Sequence, residues 1–302
     1  MRICRFWEPR LGPRLGLVVE EEVIDLTAMD PRGCADISAW LKLADPAEHI
    51  RRLAETARKN GPRIRMRELD RKPAATTRHL LAPIDTQEVW AAGVMYEPSR
   101  DTRVEESRGG GGFYGQVYEA ARPQLVFKAM PHRVAGPNAP IRVRSDSEWT
   151  LPEPELAVVF TPELQVAGYT CGDDVSSRDI EGENPLYLQQ AKTYVGCCAL
   201  GPVIVLPDEF PNPDDTTISM VVIRDGMTIF QGETSTSCMR RRISDLVPYL
   251  GRDNAFPDGV VLLTGTGVVP PDDCALEADD VVEIIIDGVG LLRNPVARTS
   301  RE

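Results

Sequence analysis

The stretch SDSEWTLPEPELAVVF, residues 145–160, decides how the chain is read. Two glutamates one residue apart, Glu153 and Glu155, run directly into an uninterrupted apolar strand, LAVVF. In a strand, residues i and i+2 point to the same face, so the two carboxylates share one side of the chain. Like charges at that spacing are stable only if exposed, if one is protonated, or if a cation sits between them. The next acidic cluster favours the cation. VAGYTCGDDVSSRDIEGEN (166–184) begins as a strand and ends with Asp173, Asp174, Asp179, Glu181 and Glu183 around a single arginine, Arg178. A hairpin turning at TPEL (161–164) brings that segment back beside Glu153 and Glu155. Three converging carboxylates make a hard, oxygen-rich site suited to Mg2+, Mn2+ or Ca2+. The only histidines are His49, His79 and His132, none nearby in sequence, which disfavours zinc there.

Around this stretch the composition is that of an ordinary soluble globule, 42% hydrophobic and 26% charged over 302 residues. A net charge of −12 argues against a nucleic-acid binder, which needs a basic face for phosphates. It leaves room for a small anionic substrate, which responds to local charge. No apolar run approaches the roughly 18 residues of a membrane span, and the start MRICRFWEPR has no signal-peptide core. Seven cysteines without a CxxC read as reduced thiols, so a cytoplasmic location is expected.

Residues 1–30 predict short strands, and 34–61 predict helix, with Asp45 as N-cap, Pro46 in the first turn and Gly61-Pro62 as the stop. The polar stretch 65–78 reads as a linker. The expected organisation is a small N-terminal α+β domain over 1–78 and a catalytic domain over 79–302. The second part carries recurring Val- and Ile-rich runs between turn residues, which predicts a mainly β unit, a barrel or packed sheets. RGGGGFYGQVYEAAR (108–122) reads as a mobile lid, because four glycines restrain little while Phe113, Tyr114, Val117 and Tyr118 supply apolar surface.

PEPELAVVF, GDDVSSRD, AKTYVGCCALGPVIV, VVLLTGTG and LEADDVVEIIIDGVGLLRNPV occur in that order from about 153 to 296. Together they resemble the fumarylacetoacetate hydrolase superfamily. Its usual forms are an ExELA strand, NDVSARDxQ, a lysine before an LGP stretch, LLTGTP and a closing GDxVxxxIxGIGxLxNPV. The resemblance implies a β-rich mixed fold, one divalent metal and commonly a homodimer. It implies Glu153, Glu155 and Asp174 as metal ligands, with Asp173 standing at the Asn position. It implies Lys192 as the active-site lysine and Thr266 as a contact to the substrate carboxylate. SRDIEGENPLYLQQAK, with KAMPHRVAGP before it, is similar to the branch containing 2-keto-3-deoxy-D-arabinonate dehydratases, which remove water from a 2-keto-3-deoxy sugar acid.

The departures sharpen that expectation. Hydrolytic members carry GxNY and then a helical lid whose His and Glu activate water. Here GVMYEPSRDTRVEES (93–107) has Met95 at the Asn position, Ser99 near the His position and Thr102 near the Glu position. No histidine falls between 80 and 131, so water activation loses its usual base. Elimination needs less: an acidified C3–H, a base beside it and help for a leaving hydroxide. The expected reaction is therefore Mg2+-dependent dehydration, with hydrolysis or decarboxylation of acylpyruvate-type diketo acids as the alternative. Glu106 and Glu181 are the candidates for the base. Tyr96, Ser99, Arg100, Arg103 and Thr266 are the candidates for holding substrate.

Overall fold

The strand Pro154–Phe160 is buried along its whole length. Leu156, Val158 and Phe160 pack into one core, and Ala157 and Val159 into a second on the opposite face. A strand covered on both faces reads as a continuous apolar run rather than an alternation, which accounts for LAVVF. The structure is a computed structural model. It describes residues 1–106, 111–271 and 273–298, with the backbone alone for 103–106 and 111–114.

Pro154–Phe160 lies well inside a large sheet. From one edge the path runs Arg63–Arg65, Glu22–Asp25, Gly12–Val19, Arg2–Glu8, Cys198–Val205, Val166–Asp174, Pro154–Phe160, Val260–Leu263, Glu88–Gly93 and Gln124–Ala129. Neighbours along it run antiparallel, apart from the parallel pairing of Val260–Leu263 with Glu88–Gly93. The predicted hairpin is present: Pro154 faces Asp173 and Glu155 faces Gly172. The N-terminal strands extend the same sheet through the pairing of Arg2–Glu8 with Cys198–Val205. A second sheet of five strands, Met227–Ser235, Thr217–Arg224, Val281–Ile286, Gly290–Arg298 and Ile141–Val143, packs against the first. The architecture is the mainly β, mixed fold that the motifs imply.

The predicted helix start is borne out. Asp45 caps Pro46–Asn60 by accepting from the Glu48 N–H at 2.8 Å, and Ile50, Ala54 and Ala57 bury its inner face. The helical stretch expected over 34–61 is divided, with Ile37–Leu41 ahead of it as a separate helix. The cap at Asp45 requires a non-helical residue there, so one continuous helix is excluded. The polar 65–78 segment is not wholly a linker, since Met66–Leu69 forms a helical turn that buries Leu69. The stretch read as a lid, 108–122, carries the helix Gly111–Glu119, and a separate helix, Glu97–Glu106, precedes it. Residues 107–110 lie outside the described residues.

Candidate active site

Two turns bring the acidic residues to one end of the large sheet. The hairpin places Glu153 and Asp174 side by side, with the Asp174 N–H donating to the Glu153 carbonyl at 3.0 Å. The Glu153 N–H donates to Asp173 Oδ1 at 2.9 Å. After Val260–Leu263 the chain turns at Gly265, whose φ is +90°. A Cβ there would lie 2.7 Å from the Met95 Cβ and 3.0 Å from the Ala92 carbonyl oxygen, so the turn requires glycine. That turn aims the Gly265 N–H at Glu155 Oε2, 2.5 Å away. Glu153, Glu155 and Asp174 are all buried, with carboxylate oxygens within 4.8 Å of one another.

Three cations stand among them. Lys192, the last residue of the helix Leu188–Lys192, donates to Glu153 Oε2 at 3.0 Å, Asp174 Oδ2 at 2.9 Å and Ser176 Oγ at 2.7 Å. Arg178 Nε lies 3.3 Å from Glu153 Oε1. Lys128, on the strand Gln124–Ala129, is fully buried, donates to the Val175 carbonyl at 2.8 Å and pairs with Asp174 Oδ1. Burial opposes the Lys128 charge, yet Asp174 holds its ammonium above the ordinary lysine range.

Among the described residues, five buried carboxyl groups, Glu153, Glu155, Asp173, Asp174 and Glu181, gather around these three cations. Burial pushes the Glu155 carboxyl well above the usual range, Asp174 and Glu153 push it further, and Lys192 and the Gly265 N–H only partly oppose them. A carboxyl so placed ionises readily only if further positive charge arrives. The donor set is all oxygen, so a hard divalent ion such as Mg2+ fits Glu153, Glu155 and Asp174.

Glu153, Glu155 and Asp174 line a narrow cleft with about 20 Å³ of free volume, room for an ion or a water. Ser99, Gln124, Glu181, Leu188, Lys192 and Thr266 also line it. Glu181 sits in the helix Arg178–Glu183 and is buried. Thr266 is fixed by its own turn, its Oγ1 donating to the Val268 carbonyl at 3.2 Å. Other predicted residues are not brought to the cleft. Ser99 faces inward on the helix Glu97–Glu106, so Arg100, one residue on, is turned away. It pairs with Asp101 at 2.7 Å and Glu97 at 3.1 Å, and its guanidinium lies 4.8 Å from the Tyr118 ring centroid. Tyr96 is fully buried and stands behind the turn, where a Cβ at Gly267 would meet its ring at 2.6 Å. Met95 packs on Gly265 rather than offering a polar group. Thr102 donates to the Pro98 carbonyl of its own helix at 3.0 Å. The side chains of Arg103, Glu106, Phe113 and Tyr114 lie outside the described residues. Among the described residues, no histidine lines the cleft.

A clamp holds the helix Gly111–Glu119. Arg241 donates to the Val117 and Tyr118 carbonyls, each at 3.2 Å, and to that of Ala120. These are carbonyls at the helix C-terminal end, where cations are favoured. Arg240 and Arg100 both approach the Tyr118 ring, at 5.8 and 4.8 Å.

Sequence reasoning missed Lys128, Ser176 and Gln124, and gave Arg178 no role. Lys128 carried a signal: a lysine inside QLVFKA, where an unpaired charge is costly and a buried partner is needed. Gln124 and Ser176 are common polar residues whose position is set only by the fold.

The family described as fumarylacetoacetate (FAA) hydrolase, C-terminal, matches residues 103–297. The chain is 50% identical over 219 residues to 2-dehydro-3-deoxy-D-arabinonate dehydratase of Saccharolobus solfataricus, covering 72% of this chain and 74% of that one. It is 47% identical over 223 residues to a probable 2-keto-3-deoxyxylonate dehydratase of Haloferax volcanii, covering 74% and 76%. A solved structure of 2-keto-3-deoxy-D-arabinonate dehydratase complexed with magnesium and 2,5-dioxopentanoate superposes over the full length of both chains, with a TM-score of 0.82 and 38% identity. The ordered motifs, the acid-lined cleft and these likenesses together establish that the chain belongs to the fumarylacetoacetate hydrolase family.

Proposed function

We propose that the chain is a Mg2+-dependent dehydratase of a 2-keto-3-deoxy sugar acid, of the 2-keto-3-deoxy-D-arabinonate type, giving 2,5-dioxopentanoate. The observation that carries this is the buried Glu153, Glu155 and Asp174 cluster with Lys192 beside it, in a cleft whose described lining includes no histidine. The likeness to dehydratases, one of them solved with magnesium and that product, supports it.

When bound, the ion supplies a Lewis acid for the carboxylate and 2-oxo oxygens of the substrate, which acidifies C3–H. Lys192, hydrogen bonded to Glu153 and Asp174, acts as a hydrogen-bond donor to the oxygen on which negative charge develops. Glu181 takes the C3 proton and returns it to the departing C4 hydroxyl, so that one water leaves. Moving a proton from C5 to C3 then gives the C4–C5 enol, which gains a proton at C4 as its hydroxyl loses one, leaving the aldehyde. Ser99 and Gln124 stand where the substrate hydroxyls would be bound, and Thr266 where its carboxylate would be. Leu188 and Val126 give the cleft an apolar wall.

The test is an assay with Mg2+ and 2-keto-3-deoxy-D-arabinonate, coupled to a semialdehyde dehydrogenase. NAD(P)H formation supports the reading, whereas silence together with turnover of acylpyruvates replaces it with hydrolysis. A homodimer is also proposed. Ile285 and Leu291, paired across adjacent strands, leave a half-exposed apolar face for a second copy, and light scattering reads the mass. The free state of all seven cysteines supports a reducing, cytoplasmic location. Among the described residues, no helix is long and apolar enough to cross a membrane.

A further inference from the structure

The turn after Met29 and the helix Pro46–Asn60 bring together three side chains, none of which lines the cleft. Asp30, Cys34 and His49 each offer one donor atom, a carboxylate oxygen, a thiol sulfur and an imidazole nitrogen, all within 4.8 Å. Asp30 is held in place by its own turn, its Oδ1 accepting from the Gly33 N–H at 3.0 Å and the Arg32 N–H at 3.2 Å. Its Oδ2 lies 2.8 Å from His49 Nε2. Gly33 keeps the meeting point clear, since a Cβ there would lie 2.3 Å from Asp30 Oδ2 and 3.0 Å from His49 Nε2. Cys34 is fully covered beneath, while the His49 and Asp30 side chains are 33% and 26% exposed. The thiol is therefore the floor of the cluster, the other two groups are its rim, and a fourth position faces solvent.

We propose that Asp30, Cys34 and His49 form a second metal site, taking a borderline-soft divalent ion of the Zn2+ class. Sulfur, nitrogen and oxygen donors together select such an ion over Mg2+. Bond lengths of about 2.0–2.3 Å place tetrahedral donors about 3–4 Å apart, within the observed spread. The His49–Asp30 pair opens by a few tenths of an ångström to admit the ion. Burial, with Asp30 adding to it, pushes the Cys34 thiol up to about 12. The thiol proton leaves as the sulfur–metal bond forms. The bound ion ties the turn at 30–34 to the helix Pro46–Asn60, so its effect is on the stability of the N-terminal region.

Co2+ is the probe, because only a thiolate-bound ion gives an intense near-ultraviolet charge-transfer band. The full chain is titrated with Co2+ in excess Mg2+, and the band is then competed with Zn2+. The expected result is one such band per chain, retained in Glu155→Gln and Cys238→Ser and abolished in Cys34→Ser. His49→Gln and Asp30→Asn, at partly exposed positions, keep the test valid if Cys34→Ser does not fold. Each is expected to weaken Co2+ binding at least tenfold. Zn2+ is expected to raise the unfolding temperature of the parent chain and not that of His49→Gln. No band in the parent chain, a band that survives in folded Cys34→Ser, or one lost in Cys238→Ser overturns the proposal.

Discussion

Replacing Lys128 with methionine removes one buried ammonium and keeps an unbranched stem of similar length. The ammonium hydrogen bonds to the Val175 carbonyl and pairs with Asp174 Oδ1, which leaves Asp174 Oδ2 turned toward Lys192. Breaking a buried pair by deleting one partner costs about 3–5 kcal/mol, because the other charge remains buried. With Glu155 and Asp173 holding protons in the metal-free chain, Glu153 and Asp174 keep Arg178 and Lys192 as partners, so the cost belongs at the lower end of that range when no metal is present. Urea unfolding followed by tryptophan fluorescence, in EDTA, reads it directly. The same change frees Asp174 to rotate. Losing a group that orients a ligand typically weakens metal affinity or activity by about 10–100-fold, so the Mg2+ concentration for half-maximal turnover is expected to rise at least tenfold. A loss of less than about 1 kcal/mol, together with unchanged Mg2+ dependence, would refute the positioning role assigned to Lys128.

Other expected outcomes use the same geometry. The Glu155 carboxyl is held well above its ordinary range in the metal-free chain, so Mg2+ must displace its proton. Calorimetry in buffers of different ionisation enthalpy is expected to show proton release and affinity that rises with pH. Glu155→Gln is expected to abolish Mg2+ binding while leaving the circular dichroism spectrum unchanged. Burial raises the Asp173 carboxyl to about 8, so the folded, metal-free chain holds a proton that the unfolded chain releases near pH 4. Its contribution to stability therefore falls as pH rises from about 4 to 8 and then levels off. Asp173→Asn is expected to gain on the parent chain across that window, by at most about 5 kcal/mol, as read by denaturation at several pH values. Arg241→Ala frees the last carbonyls of the helix Gly111–Glu119. It is expected to raise KM for the sugar acid several-fold with the Mg2+ dependence unchanged; an unchanged KM would separate the clamp from substrate capture.

How much the sequence revealed depended on how local the information was. PEPELAVVF and GDDVSS are hairpin partners, and the register that brings Glu153 to Asp174 follows from one short turn. The Asp45 cap was legible because capping is settled within four residues. The lid was harder. Ser99 and Arg100 are adjacent and both polar, and only the packing of the helix Glu97–Glu106 against the cleft decides that Ser99 turns inward. Arg100 pairs with Glu97 and Asp101 instead. Lys128, 46 positions before Asp174 in sequence, reaches it only because of the sheet order. No periodicity within either segment encodes that meeting. Gly265 stands inside the VVLLTGTG motif, but its role in aiming an N–H at Glu155 needed the partner strand.

The central claim is that this acid cluster, loaded with a divalent ion, removes water from a 2-keto-3-deoxy sugar acid. The most direct measurement is mass spectrometry of 2-keto-3-deoxy-D-arabinonate after incubation with the protein, with Mg2+ and with EDTA, in the parent chain and in Glu155→Gln. The account predicts a product lighter by one water, formed only with Mg2+ and only by the parent chain. An unaltered substrate with Mg2+ present, or equal dehydration in EDTA, would contradict it.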